Sequence, residues 1–288
     1  MRLITLCLTL VLSSLPVWAQ STTIQYLSGT DKDHTVAWDF LCSEGRKSGK
    51  WSKIPVPSNW ELQGFGAYNY GHDRVKSNEQ GQYKREFSVN SGAGKRVFIV
   101  FEGSMTDTEV KINGQSAGPV HQGGFYRFKY DITNLLKPKG KNLLEVTVNK
   151  LSADPSVNRA ERSGDFWVFG GIYRPVYLEI VPQRFIDRVA VDAKADGSFK
   201  LDVFAQNLSG DETVTAQVQK INGQLVGPAF SVASDATKES LRLESQFEKP
   251  SLWSAEFPNL YQVVVSLKTK SGTLHQVKQR FGFRIVEL

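Results

Sequence analysis

Short runs of alternating apolar and polar residues, cut at intervals of roughly 8 to 12 residues by Gly, Asn, Asp or Pro, recur along most of the chain. No other feature constrains the fold as much, because side chains of an extended strand point alternately to two faces and a period of two fixes which face is buried. Helical periodicity is almost absent, and only 131–138, stopped by Pro138, reads as a short helical turn. The chain is therefore predicted to be all-β. In the first half, strands are expected at 83–89, 96–102, 108–112, 125–130, 143–149 and 172–180. After Pro182 and Gln183 they are expected at 184–193, 198–205, 213–221, 239–247, 261–270 and 275–286. Asn113-Gly114, Asn222-Gly223 and Ser271-Gly272 are the expected hairpin turns, since these residues tolerate the backbone angles of tight turns.

The first 19 residues obey a different rule. Arg2, an apolar run from Leu3 to Leu12, a break at Pro16 and a small Ala19 read as a secretory signal peptide cleaved after Ala19. The apolar run is well short of the roughly 20 residues a membrane-spanning helix needs. The rest of the chain has room for two β domains, each with its own core. The boundary is expected at Pro182, giving a first domain over 20–182 and a second over 183–288. The second stretch has the length and strand number of an immunoglobulin-like sandwich, without the Cys-Trp-Cys pattern of antibody domains.

Of the two cysteines, Cys7 lies in the signal and Cys42 is left alone, so the mature chain is expected to lack an internal disulfide. For an exported protein, that points to a bacterial periplasm or cell surface. The formal net charge of +6 comes from basic residues interspersed with acids, a solvated surface and not a nucleic-acid footprint. His34, His72, His121 and His275 lack metal-ligand spacing, and Gly64-Phe65-Gly66 precedes no helix and lacks a third glycine, so neither a metal site nor a dinucleotide loop is expected. No residue cluster implies a cofactor. Asn207-Leu208-Ser209 has the form of a glycosylation acceptor, expected bare in a bacterium.

Several longer motifs remain. The Pro- and Gly-punctuated stretch from Ile54 to Gly66 holds Trp60. After it come Phe101-Glu102-Gly103-Ser104, Val110-Lys111-Ile112-Asn113-Gly114-Gln115, Gly124-Phe125, Tyr130-Asp131-Ile132-Thr133-Asn134-Leu135-Leu136, and Asp165-Phe166-Trp167-Val168-Phe169-Gly170-Gly171-Ile172-Tyr173-Arg174-Pro175-Val176. In order and spacing they resemble the sugar-binding jelly roll that opens glycoside hydrolase family 2, the family of β-galactosidases and β-glucuronidases. Leu252-Trp253-Ser254-Ala255-Glu256-Phe257-Pro258-Asn259-Leu260-Tyr261 and Phe281-Gly282-Phe283-Arg284 resemble its immunoglobulin-like second domain. The resemblance covers about Trp51 to Leu288 and implies a galactose-binding-like jelly roll followed by an immunoglobulin-like β-sandwich.

Most motif residues also read as core and turn chemistry. In the family, the aspartate opening an Asp-x-Trp motif bonds a hydroxyl of the terminal sugar, and the match falls on Asp165, with Trp167 as its aromatic neighbour. The other reading of Asp165 is a turn cap after Gly164. Asn69, within Tyr68-Asn69-Tyr70, falls where the family places an asparagine near the same sugar, or is a plain loop asparagine. The tract from Ser152 to Arg162 departs from the acidic sequence of the best-known β-galactosidases, which puts galactose specificity in doubt. The family's two catalytic glutamates lie on a (β/α)₈ barrel of about 250 residues, beginning where Phe281-Gly282-Phe283-Arg284 ends. The expectation is a non-catalytic portion of a secreted family 2 glycosidase, a fragment, split product or truncated gene model, inactive alone and partnered by β-glycosides and by a barrel. No catalytic residue is expected within this chain. The alternative is a stand-alone carbohydrate-binding or adhesion module; a third reading makes both domains mere braces.

Overall fold

The computed structural model describes residues 20–89 and 94–285. The signal peptide expected over 1–19 lies outside them, as does residue 286, the expected end of the last strand. The chain divides into two compact units, Thr22–Gln183 and a second that joins Arg184–Leu288 to the residues up to Ser21.

β1 (Gln20–Ser21) opens the described chain. The first unit then runs β2 (Thr23–Tyr26), β3 (Val36–Cys42), β4 (Ser52–Val56), β5 (Asn69–Tyr70), β6 (Gln80–Phe87), β7 (Lys95–Phe101), β8 (Asp107–Ile112), β9 (Gln115–Ser116), β10 (Phe128–Asp131), β11 (Asn142–Asn149), helix α1 (Pro155–Glu161), β12 (Trp167–Val168) and β13 (Val176–Pro182). A six-stranded sheet, β4-β3-β6-β11-β8-β9, faces a four-stranded one, β10-β7-β13-β2. The core between them draws on both sheets, with Phe40, Tyr83, Val110 and Val146 from the first and Ile99, Phe101, Val176 and Leu178 from the second. Strand β11 shows the predicted alternation directly: Asn142, Leu144, Val146 and Val148 point inward, and the residues between them are half-exposed. Asn113 and Gly114 turn the chain between β8 and β9 at φ 53° and 80°, and the Asn113 amide is held by Leu135 O and Asn142 Oδ1, both at 2.9 Å.

Departures from the sequence pattern have local causes. β4 lies in a stretch that its prolines made look like loop. It is an edge strand, where a missing N–H leaves no ladder bond unmade, so Pro55 is tolerated. The strand expected at 172–180 begins only at Val176, just after Pro175, and the one expected at 125–130 begins at Phe128, past the bend of Gly123-Gly124. Helix α1 was not expected. Its start is readable in hindsight, because Asp154 caps the Ser156 N–H at 2.7 Å and Pro155 occupies the first turn.

The second unit comprises β14 (Phe185–Ala193), β15 (Ser198–Gln206), β16 (Thr213–Lys220), β17 (Phe230–Ala233), β18 (Leu241–Gln246), β19 (Tyr261–Thr269) and β20 (Gly272–Phe281). Sheet β14-β15-β18 faces β1-β20-β19-β16-β17 across a core of Leu201, Val203, Val214, Val218, Val263 and Val265. At Asn222-Gly223 the chain reverses, with Lys220 N–H donating to Gln224 O at 2.8 Å. Phe281 and Phe283 pack with Phe199 and Tyr261 at ring separations of 5.1 to 6.3 Å, so this motif is core. One boundary differs from the expected first domain of 20–182: β1 runs parallel to β20, with Gln20 opposite His275 and Ser21 opposite Gln276, and so belongs to the second unit's sheet. Cys42 is a free, buried thiol. No helix among the described residues is long and apolar enough to cross a membrane.

Candidate functional site

In the first unit, β5 and β12 pair as a separate two-stranded ribbon, with Trp167 opposite Tyr70 and Val168 opposite Asn69. The pairing continues as Gly71 N–H donates to Phe166 O at 2.7 Å. Asn69 is thus brought next to the distant pair Asp165 and Trp167, but the three do not play equal parts.

Asp165 presents its carboxylate to solvent, its side chain 88% exposed. The Tyr70 hydroxyl donates to Asp165 Oδ1 across the ribbon, and His72 Nε2 stands 4.0 Å from the same oxygen. Donation to the carboxylate pushes the Tyr70 phenol above its ordinary value. Trp167 is 55% exposed, its ring 5.3 Å from Tyr70 and 5.9 Å from Tyr68. A carboxylate accepts hydrogen bonds from hydroxyls, and aromatic rings cover apolar C–H faces, which together are what a sugar presents.

Asn69 faces the other way. It is buried, Oδ1 accepts from Ser77 N–H at 3.0 Å and from the Ser77 hydroxyl at 2.5 Å, and Nδ2 points to Asp73 Oδ2 and Val75 O at 3.4 Å. Its amide closes the 70–77 loop from within.

Beneath the ribbon, Trp60 is fully buried with its ring against Gly170, where an added Cβ would lie 2.1 Å from the indole. That close approach is the physical reason for glycine at this position. Beside Trp60 lies an ionic cluster that sequence reading missed. Lys150 Nζ sits 2.9 Å from Glu61 Oε1 and 3.3 Å from Glu79 Oε2, all three side chains wholly buried. Burial pushes the Glu61 carboxyl up, against the pull of Lys150 and the Gly170 N–H in the other direction. Arg162, also buried, is pushed down to about 10 by desolvation. A signal for Lys150 did exist, for it continues the inward register of Leu144, Val146 and Val148 one step past the end of β11. A lysine in a core register needs a buried acid. Tyr70 was legible only as a neighbour of Asn69, and His72 only as a histidine without metal spacing.

The family model "Glycosyl hydrolases family 2, sugar binding domain" matches residues 39–182, and "Glycosyl hydrolases family 2" matches residues 184–284. The chain belongs to glycoside hydrolase family 2. A β-galactosidase of Priestia megaterium is 32% identical over 267 residues, covering 83% of this chain and 25% of that protein. The one from Clostridium acetobutylicum is 30% identical over 256 residues, covering 82% and 28%. This chain thus spans about a quarter of the length of these curated relatives. Among solved structures, the Bifidobacterium dentium β-glucuronidase complexed with coumarin-3-O-glucuronide superposes with a TM-score of 0.73 over 94% of this chain and 50% of that one. At 22% identity it speaks to the shared fold alone. The two sandwiches are thus the all-β domains that precede catalysis in family 2 members, and the sheets of the described residues form no (β/α)₈ barrel.

Proposed function

We propose that this chain is the sugar-recognising, non-catalytic part of an exported family 2 glycosidase, in which Asp165 accepts a hydrogen bond from a hydroxyl of the terminal sugar of a β-glycoside. The observation that carries this reading is the exposed Asp165 carboxylate beside half-exposed Trp167, displayed by a ribbon within the residues that match the sugar-binding model. Trp167 covers the sugar's apolar face. Asn69 supports the site through its loop, given that its amide is already engaged by Ser77. The hydrolytic step is assigned to a partner barrel carrying two glutamates, with the galactosidase and glucuronidase names of the relatives bounding the sugar class.

The test is an NMR titration of the Trp167 indole N–H in the purified chain with methyl β-D-galactoside and with methyl β-D-glucuronide, alongside chromogenic β-galactoside and β-glucuronide assays. Binding of at least one glycoside is expected, without turnover above background. Asp165→Asn is expected to weaken that binding about tenfold, because hydrogen bonds to charged groups contribute about 1.5–3 kcal/mol. A chain that shifts with neither sugar supports the reading in which the domains only brace a barrel, and turnover would overturn the non-catalytic assignment.

A further inference from the structure

We propose that the buried Glu61–Lys150–Glu79 cluster is a single anchor from which both arms of the Asp165 ribbon hang, so that these three side chains are the positioning residues of the site. The inference rests on the ribbon being the sugar site only for its functional meaning, since the anchoring itself is a matter of contacts.

On the β12 arm, Glu61 accepts the Gly170 N–H with both carboxylate oxygens, at 3.1 and 3.0 Å, two residues after Val168. On the β5 arm, Glu79 Oε1 accepts the Ala67 N–H at 2.5 Å, two residues before Asn69. Lys150 joins the two carboxylates and also donates to Ala67 O at 2.6 Å, and its Nζ lies 3.4 Å from Ser77 Oγ, the hydroxyl that holds Asn69. Arg162 adds a second link of the same kind. Its guanidinium donates to Phe169 O and, at 3.0 Å, to Lys150 O, while its own carbonyl accepts from Lys76 Nζ at 2.8 Å. Each arm is therefore tied by a charged group to the same lysine.

The chemistry gives a reason for ions in this place. Taking three charges out of water is costly, and well-packed apolar residues are often at least as stabilising as a buried ion pair. What an apolar cluster lacks is direction. A carboxylate fixed by a lysine holds a particular N–H at a particular distance, and two such carboxylates on one lysine fix two strands relative to one another. A ribbon of two residues per strand has too few ladder bonds to hold its own register. The position of Asp165 against the Tyr70 hydroxyl thus depends on groups that no sugar touches.

Amide hydrogen exchange on the full chain tests the anchor. Glu61→Gln and Glu79→Gln each remove one charge from one arm, and Leu178→Ala, in the core strand β13, serves as a control for general loosening. A shared anchor requires that either glutamine variant speeds exchange about tenfold at both Ala67–Gly71 and Asp165–Gly171, with strands β7 and β13 unchanged, as expected for loss of one charge-assisted hydrogen bond. Leu178→Ala is expected to speed exchange throughout the first unit. If Glu61→Gln loosens only the β12 arm and Glu79→Gln only the β5 arm, or if neither alters the ribbon, the shared anchor is wrong. Should Glu61→Gln fail to fold, Glu79→Gln poses the same question from the other arm. Glycoside titration of the same variants separates the two proposals: coupled loosening in a chain that binds neither methyl glycoside leaves the anchor standing and removes the sugar site.

Discussion

Asp165 and Tyr70 form one unit, and each reports on the other. The phenol is held above its ordinary value because it donates to a carboxylate that its ionisation would place beside a second negative charge. Asp165→Asn is accordingly expected to bring the Tyr70 phenol back down toward about 10, read as a loss at the high-pH end of the tyrosinate difference spectrum, with Tyr70→Phe identifying the signal. An unchanged titration in Asp165→Asn would mean that the hydrogen bond is not formed in solution. Asp165 and Trp167 were legible because they stand two residues apart in one motif. Tyr70 was not, because its partner lies 95 residues away and nothing in a strand pattern says which strands will meet. The same holds for Glu61, whose contact with Gly170 spans 109 residues.

Period-two alternation made long strands such as β11 and β16 plain at the level of elements, since each buries every second side chain. The inner strand β3 went unread, as did the edge strand β4 behind its prolines and α1 in a chain whose grammar was otherwise β. The loop before β16 carries a brace of another sort. Burial alone would raise the Glu212 carboxyl, but hydrogen bonds from the Ser209 backbone and hydroxyl, from the Ser234 hydroxyl and from Arg184 outweigh it and bring it down to about 2. A carboxyl depressed on folding adds stability above its unfolded value of about 4.3, and loses that contribution as pH falls toward the folded value. Glu212→Gln is therefore expected to cost on the order of 2 kcal/mol at pH 6. The gap from the parent chain should close between about pH 4 and pH 2, measured by urea unfolding across that range. A gap that stays constant with pH would show that the charge of Glu212 is not what matters.

Over the whole molecule, the sandwiches were readable from pattern, whereas the ownership of β1 was not, a two-residue strand being too short to carry a period. Cys42 is the one cysteine among the described residues. It is fully buried in β3, its Sγ donates to Glu44 O at 3.2 Å, and desolvation pushes it above its ordinary value. The thiolate is the reactive form, so a disulfide reagent at pH 8 is expected to label the folded chain on the order of a hundredfold more slowly than the chain in denaturant. Rapid labelling without denaturant would place Cys42 at the surface.

The strand that opens the described chain sets an order of events in time. Thr22–Gln183 is one continuous stretch and can close its sheets as soon as it has been made. Ser21 pairs with Gln276, so its partner is synthesised only after the whole first unit and nearly all of the second. Contacts so distant along the chain form late, because the intervening loop must be closed before they return anything. During synthesis, the two residues of β1 would be among the last to find their place, and β20 keeps one edge open until they do.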